Sequence, residues 1–97
     1  MATYTYICHV KWHDQAKEKG RGYFTETWLP YHDKACDRHG FKLLQWGLPM
    51  GTMEDHTFIW ASEQPPHLFM EFKGDINTIN GERLWDYSTT TTIITPD

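Results

Sequence analysis

The chain has 97 residues, a formal net charge of −4, and five each of Trp, Tyr and Phe. That length suits a single domain, residues 1–97, which buries about 60–70% of its unfolded surface and has little room for both a core and a deep pocket. The negative balance excludes the basic footprint of a nucleic-acid binder, and no apolar run approaches the roughly 20 residues of a membrane span.

Residues 4–12 read as a strand. Tyr4, Tyr6, Cys8, Val10 and Trp12 share one face, and Thr5, Ile7, His9 and Lys11 share the other. Residues 13–22 are polar, carry Gly20 and Gly22, and read as a loop. Lys17, Lys19 and Arg21 form a short basic run that Glu18 interrupts, which reads as solvated loop. Residues 23–39 read as a helix whose apolar stripe is Phe24, Trp28, Tyr31 and Ala35. Pro30 predicts a kink or break, or a helix that starts there. Gly40 suits the left-handed position that ends a helix.

Residues 41–48 read as a second strand and residues 56–62 as a third. The turn-rich segment 48–55 joins them as an antiparallel hairpin. Pro65 and Pro66 stop the strand, and Pro66 suits a helix's first turn. Leu68, Phe72, Ile76 and Ile79 stripe the second helix, which Gly74 weakens and Asn80-Gly81 ends. Residues 83–95, with Thr89 to Thr92 in succession, read as the fourth strand.

The order is βαββαβ, the ferredoxin-like pattern of the α+β class: a four-stranded antiparallel sheet with two helices on one face. The other face needs a cover, and a homodimer supplies it. Period-two alternation does not by itself say which face is which. The small Thr57 and Ala61 suit packing under helices. On that choice His56, Phe58, Trp60 and Trp46, together with His9 and Lys11, face away from the helices.

The segment Tyr23-Phe24-Thr25-Glu26-Thr27-Trp28-Leu29-Pro30-Tyr31-His32, the segment His39-Gly40-Phe41-Lys42-Leu43-Leu44-Gln45-Trp46-Gly47 and the element order together resemble the dimeric α+β barrel superfamily. That group includes antibiotic-biosynthesis-type monooxygenases and EthD-like proteins. The resemblance covers nearly the whole chain and implies two sheets facing each other across a dimer. It also implies a ligand site between sheet and helices or in the dimer core. Some members work without a cofactor, others bind haem, and many are ligand sensors. EthD-like relatives carry a helix-one histidine, but the residues around His32 do not match closely enough to transfer a role.

Six histidines invite a metal reading. His9 and His13 stand about 13 Å apart in a strand at roughly 3.3 Å per residue, too far to chelate together. His9 and His56 could converge across neighbouring strands, but no third ligand is visible there, and the expectation is no cofactor. A cofactor-independent oxygenase needs a dry pocket, a base and an oxyanion donor. His9 is the base candidate, and Lys11 or Tyr87 the donor. Trp46, Phe58 and Trp60 would be apolar walls, with His32 and His56 as further substrate contacts, for a small apolar or aromatic ligand. The competing reading is a non-catalytic module whose aromatics only build the dimer. Cys8 and Cys36 have no CxxC spacing and no signal-peptide pattern beside them; they could face each other between the first strand and first helix, and they read as reduced thiols of a cytoplasmic protein.

Overall fold

The computed structural model describes residues 2–97; of the N-terminal segment read as entering a strand, Met1 lies outside the described residues. In chain order the elements are β1 (Thr3–Trp12), α1 (Asp14–Lys17), α2 (Arg21–Tyr23), a π-helical segment (Phe24–Trp28), α3 (Leu29–His39), β2 (Phe41–Gly47), β3 (His56–Ser62), α4 (Pro66–Ile76), β4 (Thr78–Ile79), β5 (Glu82–Arg83) and β6 (Trp85–Thr95). Four strands form one antiparallel sheet in the order β2-β3-β1-β6, and β4 and β5 form a separate hairpin.

The helices cover the face that carries the bulky residues, which corrects the expected facing. Tyr6, Cys8, Val10, Phe58 and Trp60 are fully buried beneath them. Tyr6 stacks on Phe69 of α4 at 4.1 Å, Phe41 on Phe72 at 4.4 Å, and the Trp60 indole donates to His32 of α3 at 2.9 Å. Burial decides the facing: a pair of helices offers more apolar contact to large rings than to Thr57 and Ala61. The outer face carries Ile7, His9, Lys11, Thr57, Ile59, Ala61 and Tyr87, and none of the described helices lies on it.

Strict alternation also failed in β2. Leu43 pairs with Trp60 and Gln45 with Ile59, so the register slips by one residue at Leu44. Such a bulge reverses the facing of everything after it. Phe41, Leu43 and Trp46 therefore all turn to the helix side, while Lys42 and Gln45 turn outward.

Pro30 does not interrupt the helical run; it sits in the first turn of α3, which starts at Leu29 after the separate π-helical segment, as the second of the two readings had it. It has no N–H to give to Glu26, and the preceding turn widens instead: the Leu29 N–H reaches back five residues to the Phe24 carbonyl. The residues read as a loop include α1 and the first turn of α2. Helix α4 runs unbroken through Gly74 but ends at Ile76, so Ile79 belongs to β4. Asn80 (φ 53°) and Gly81 (φ 77°) form the turn of the β4–β5 hairpin, where two left-handed residues match the twist of the strands. Gly40 ends α3 at φ 80° as expected.

Asp75 ties α4 to α3. Its carboxylate accepts from the Tyr31 hydroxyl at 2.7 Å and Arg38 at 2.6 Å, and lies 3.0 Å from His39 Nε2. Burial works to raise its pKa, but the hydrogen bonds from Tyr31, Arg38 and His39 and the Arg38 charge outweigh it and bring it down to about 2, from an ordinary 3.8. A depressed carboxylate stabilises the fold above its unfolded pKa and loses that contribution as the pH falls through the folded one. Asp75→Asn is therefore expected to melt earlier at pH 7 and to lack the loss of stability between about pH 4 and 2. Identical melting curves across that range would show that the cluster adds nothing.

Candidate functional site

At the end of the sheet where β1 finishes and β3 begins, a cavity of about 410 Å³ opens between the sheet and the first helical segments. Its floor is Trp12 and His56. Its walls are Ala16 and Lys17 of α1, Gly20, Arg21, Tyr23, Phe24, Leu48 and Asp55.

The local sequence explains the assembly. Trp12 ends β1 on the helix side, where Asp55 holds it: the Trp12 N–H donates to the Asp55 carboxylate at 3.0 Å, and the Asp55 N–H to the Val10 carbonyl at 2.8 Å. His56 follows at the start of β3, and its Nδ1 accepts the Trp12 indole N–H at 2.7 Å. The widened π turn brings Phe24 onto the imidazole, at 4.6 Å and 7° from parallel, and Trp28 onto Phe24 at 5.3 Å. Single π turns of this kind recur at functional sites.

Asp55 is the site's carboxylate. Burial would raise its pKa, but the Trp12 N–H and the Lys17 and Lys11 charges lower it overall. Lys17 Nζ stands 3.3 Å from one oxygen and Lys11 Nζ 3.8 Å from the other. For His56, burial lowers the pKa against the opposing pull of Asp55, so the ring is neutral near pH 7. A neutral imidazole that accepts at Nδ1 carries its proton on Nε2. His56 therefore offers the cavity an N–H donor rather than a basic lone pair.

His32 sits deeper and is fully buried. Its Nε2 accepts from Trp60 at 2.9 Å, with the Cys36 thiol at 3.3 Å, and its Nδ1 lies 3.1 Å from Asp33. Burial lowers the His32 pKa against the raising effect of Asp33, and burial with the Asp33 and Asp37 charges pushes the Cys36 thiol up to about 12. Such a thiol is a packing group, not a nucleophile. Cys36 lies on His32, and Cys8 is buried opposite Thr90 in the sheet register; both thiols are free.

Both imidazoles have folded pKa values below the unfolded 6.5, so the unfolded chain binds more protons as the pH falls. The stability they contribute is full above pH 6.5 and is lost as the pH drops through their folded values. Melting temperatures are expected to fall from pH 7.5 to pH 5. His32→Gln, which keeps an acceptor for Trp60, is expected to flatten that slope. An unchanged slope in both His32→Gln and His56→Gln would contradict the buried neutral rings.

The residues singled out from sequence separate into three places. His56 lines the cavity, and Trp46 packs beside it, 4.9 Å from Phe24 and 5.8 Å from His56. Phe58, Trp60 and His32 are buried in the core with no access to solvent. His9, Lys11 and Tyr87 lie on the outer face, where His9 Nδ1 is 2.6 Å from Thr57 Oγ1 and the Tyr87 hydroxyl donates to Glu54 at 2.7 Å. His9 and His56 do not converge, which corrects that expectation. His9 pairs with Thr57 and Val10 with His56, so the two rings are on opposite sides of the sheet. Among the described residues no three His, Cys, Asp or Glu side chains gather as metal ligands. Neither histidine here is placed to hold a haem iron. His32 Nε2 and His56 Nδ1 each already receive an indole N–H, which leaves no imidazole lone pair in or beneath the cavity for an axial bond. Trp12, Lys17, Arg21, Phe24 and Asp55 were not read as site residues from the sequence: Lys17 and Arg21 read as solvated loop, and Trp12 and Phe24 as strand and helix packing. The signal that could have found them was Asp55-His56 at a strand start opposite a strand-ending Trp12.

No protein-family profile matches the chain, and no curated protein matches it in sequence. Solved structures do match in shape. A mutant chlorite dismutase from Candidatus Nitrospira defluvii superposes with a TM-score of 0.59 at 13% identity, over 96% of this chain but only 40% of that one. RPA0582, a Rhodopseudomonas palustris protein of unknown function, matches with a TM-score of 0.55 at 12% identity, over 99% of this chain and 84% of that one. Its methylated form gives 0.57 at 14% identity, over 99% and 82%. The likeness is one of fold alone: an α+β architecture with a four-stranded antiparallel sheet.

Proposed function

We propose that the chain is a small-molecule-binding protein whose site is the cavity beside Trp12 and His56, and that it works as a homodimer joined through its outer sheet faces. The observation that carries the site is the cavity itself. About 410 Å³, walled by Trp12, Tyr23, Phe24 and Leu48 and furnished with a few polar groups, matches the size and composition of ligand pockets. The dimer rests on the outer face, where Ile7, Ile59, Ala61 and Ile93 lie among threonines with no described helix above them. No described helix is long and apolar enough to cross a membrane. Two free buried thiols suit a reducing, cytoplasmic setting.

A ligand in this cavity contacts Trp12, so binding is expected to change the protein's tryptophan emission. Screening small aromatic and apolar compounds by fluorescence and thermal shift tests the reading. Leu48→Asp, at a largely exposed wall position, is expected to weaken every hit without lowering stability. Hits indifferent to that change would move the site elsewhere.

A second reading has its own observation. A hollow of about 310 Å³ on the outer side is lined by His9, Gln45, Trp46, Leu48, Met50, Thr57 and Ile59, and shares Leu48 with the first cavity. In a dimer that hollow would be roofed by the partner. His9 would then be the base, with Lys11 and Tyr87 as donors, of a cofactor-independent oxygenase acting on an aromatic substrate. Under this reading His9→Ala abolishes turnover and binding, whereas Leu48 borders both hollows and its substitution does not separate the two readings.

A further inference from the structure

The cavity beside His56 has a polarity opposite to that of the whole chain, whose net charge is −4. Lys17 and Arg21 stand on its wall against one carboxylate, Asp55. That carboxylate is already engaged by the Trp12 N–H and by Lys17 and Lys11. Arg21 has no ion pair or hydrogen bond with any described residue and remains able to bind a charge. Of the remaining polar groups, the Tyr23 hydroxyl can donate or accept, and His56 is held by Trp12 in the tautomer that donates from Nε2. Apart from Asp55, every polar side chain on the wall is thus a cation or able to donate. Around them, Phe24 lies flat on the imidazole and Trp12 stands edge-on to both rings, at 6.1 Å from Phe24 and 5.8 Å from His56.

Building on the small-molecule reading of this cavity, we infer that its ligand is a flat apolar molecule bearing one anionic oxygen group, a carboxylate or phenolate, received by the His56 Nε2–H with Arg21 and Lys17 beside it. The imidazole then acts as a neutral donor to an oxyanion, not as a base. Charge-assisted hydrogen bonds are the strong ones, and a guanidinium fits a carboxylate with two parallel contacts. The aromatic walls supply contact area and the donors supply orientation.

The test is a calorimetric titration of the full chain with 2-naphthoate and, separately, with uncharged 2-naphthalenemethanol. The expected result is naphthoate binding at least about tenfold tighter than the alcohol, the order of one charge-assisted contact. Arg21→Gln and Lys17→Gln are expected to remove most of that preference, read as the ratio of the two affinities. Equal affinities for the two probes would overturn the anion selectivity and leave the small-molecule site standing. A preference for naphthoate that survives both substitutions would place the anion elsewhere and overturn the inference. Binding of neither probe would overturn the inference and the cavity reading together.

Discussion

Trp60→Ala is expected to cost about 3–5 kcal/mol, the range for deleting a buried large aromatic. A chain of this size has a total stability of roughly 5–15 kcal/mol, so the variant sits near the edge of folding. The indole is fully buried, packs edge-on to Phe72 at 5.3 Å and nearly parallel to Phe58 at 5.4 Å, and donates to His32. Removing it leaves a hole beneath both helices and takes one donor from His32 Nε2. Trp60→Phe separates the two losses. It keeps most of the ring packing, leaves the Cys36 thiol 3.3 Å from Nε2, and is expected to cost about 1–2 kcal/mol more than the lost contact area alone. Urea denaturation of the two variants checks this. Loss of less than about 1 kcal/mol for Trp60→Ala would contradict the burial. A variant that stays folded but changes its oligomeric state would return Trp60 to an interface.

Ile59→Lys probes the opposite face and is expected to do the reverse. Ile59 pairs with Ile7 and Gln45 on the uncovered side of the sheet. A lysine there meets water in the isolated chain, so the fold survives with little change in melting temperature. In the dimer each protomer would carry an unpaired charge into a closed face. Such a charge costs about 3 kcal/mol or more, so the dimer is expected to weaken by more than about a hundredfold. Sedimentation velocity with circular dichroism reads both quantities. A dimer that is untouched would take the interface off this face, and an unfolded monomer would mean that Ile59 is part of the core.

The contrast between these neighbours shows what the sequence could convey. Alternation identified the two sets in β3 correctly, Phe58 and Trp60 against Thr57 and Ile59. It carried no information on which set meets the helices, because that depends on the contact area the helices offer. The preference for small residues beneath helices gave the wrong answer. A core of stacked rings is thicker than a core of alanine and threonine, and this chain spends its Phe24, Trp28, Phe69 and Phe72 on filling it. The bulge at Leu44 was invisible for a different reason. It is a property of the pairing between β2 and β3, not of the residues in β2.

The site was legible only in part. His56 and Trp46 were singled out and lie at or beside the cavity, but their expected companions Phe58, Trp60 and His32 seal its underside instead. Lys17 and Arg21 read as solvated loop because their run is short and mixed in sign. The turn at Gly20, with φ 84°, is what carries them over the end of the sheet. Trp12 and His56 are far apart in sequence, and only the antiparallel register of β1 with β3 makes them neighbours.

The most direct test of where the site lies is nuclear magnetic resonance on the full chain titrated with 2-naphthoate. The five tryptophan indole N–H signals report on separate places, and Trp12 alone among them lines the cavity. The account requires the Trp12 indole signal and the His56 ring signals to shift, with His9 and Thr57 unmoved. Shifts confined to His9, Thr57 and Ile59 would contradict it and move the function to the outer face.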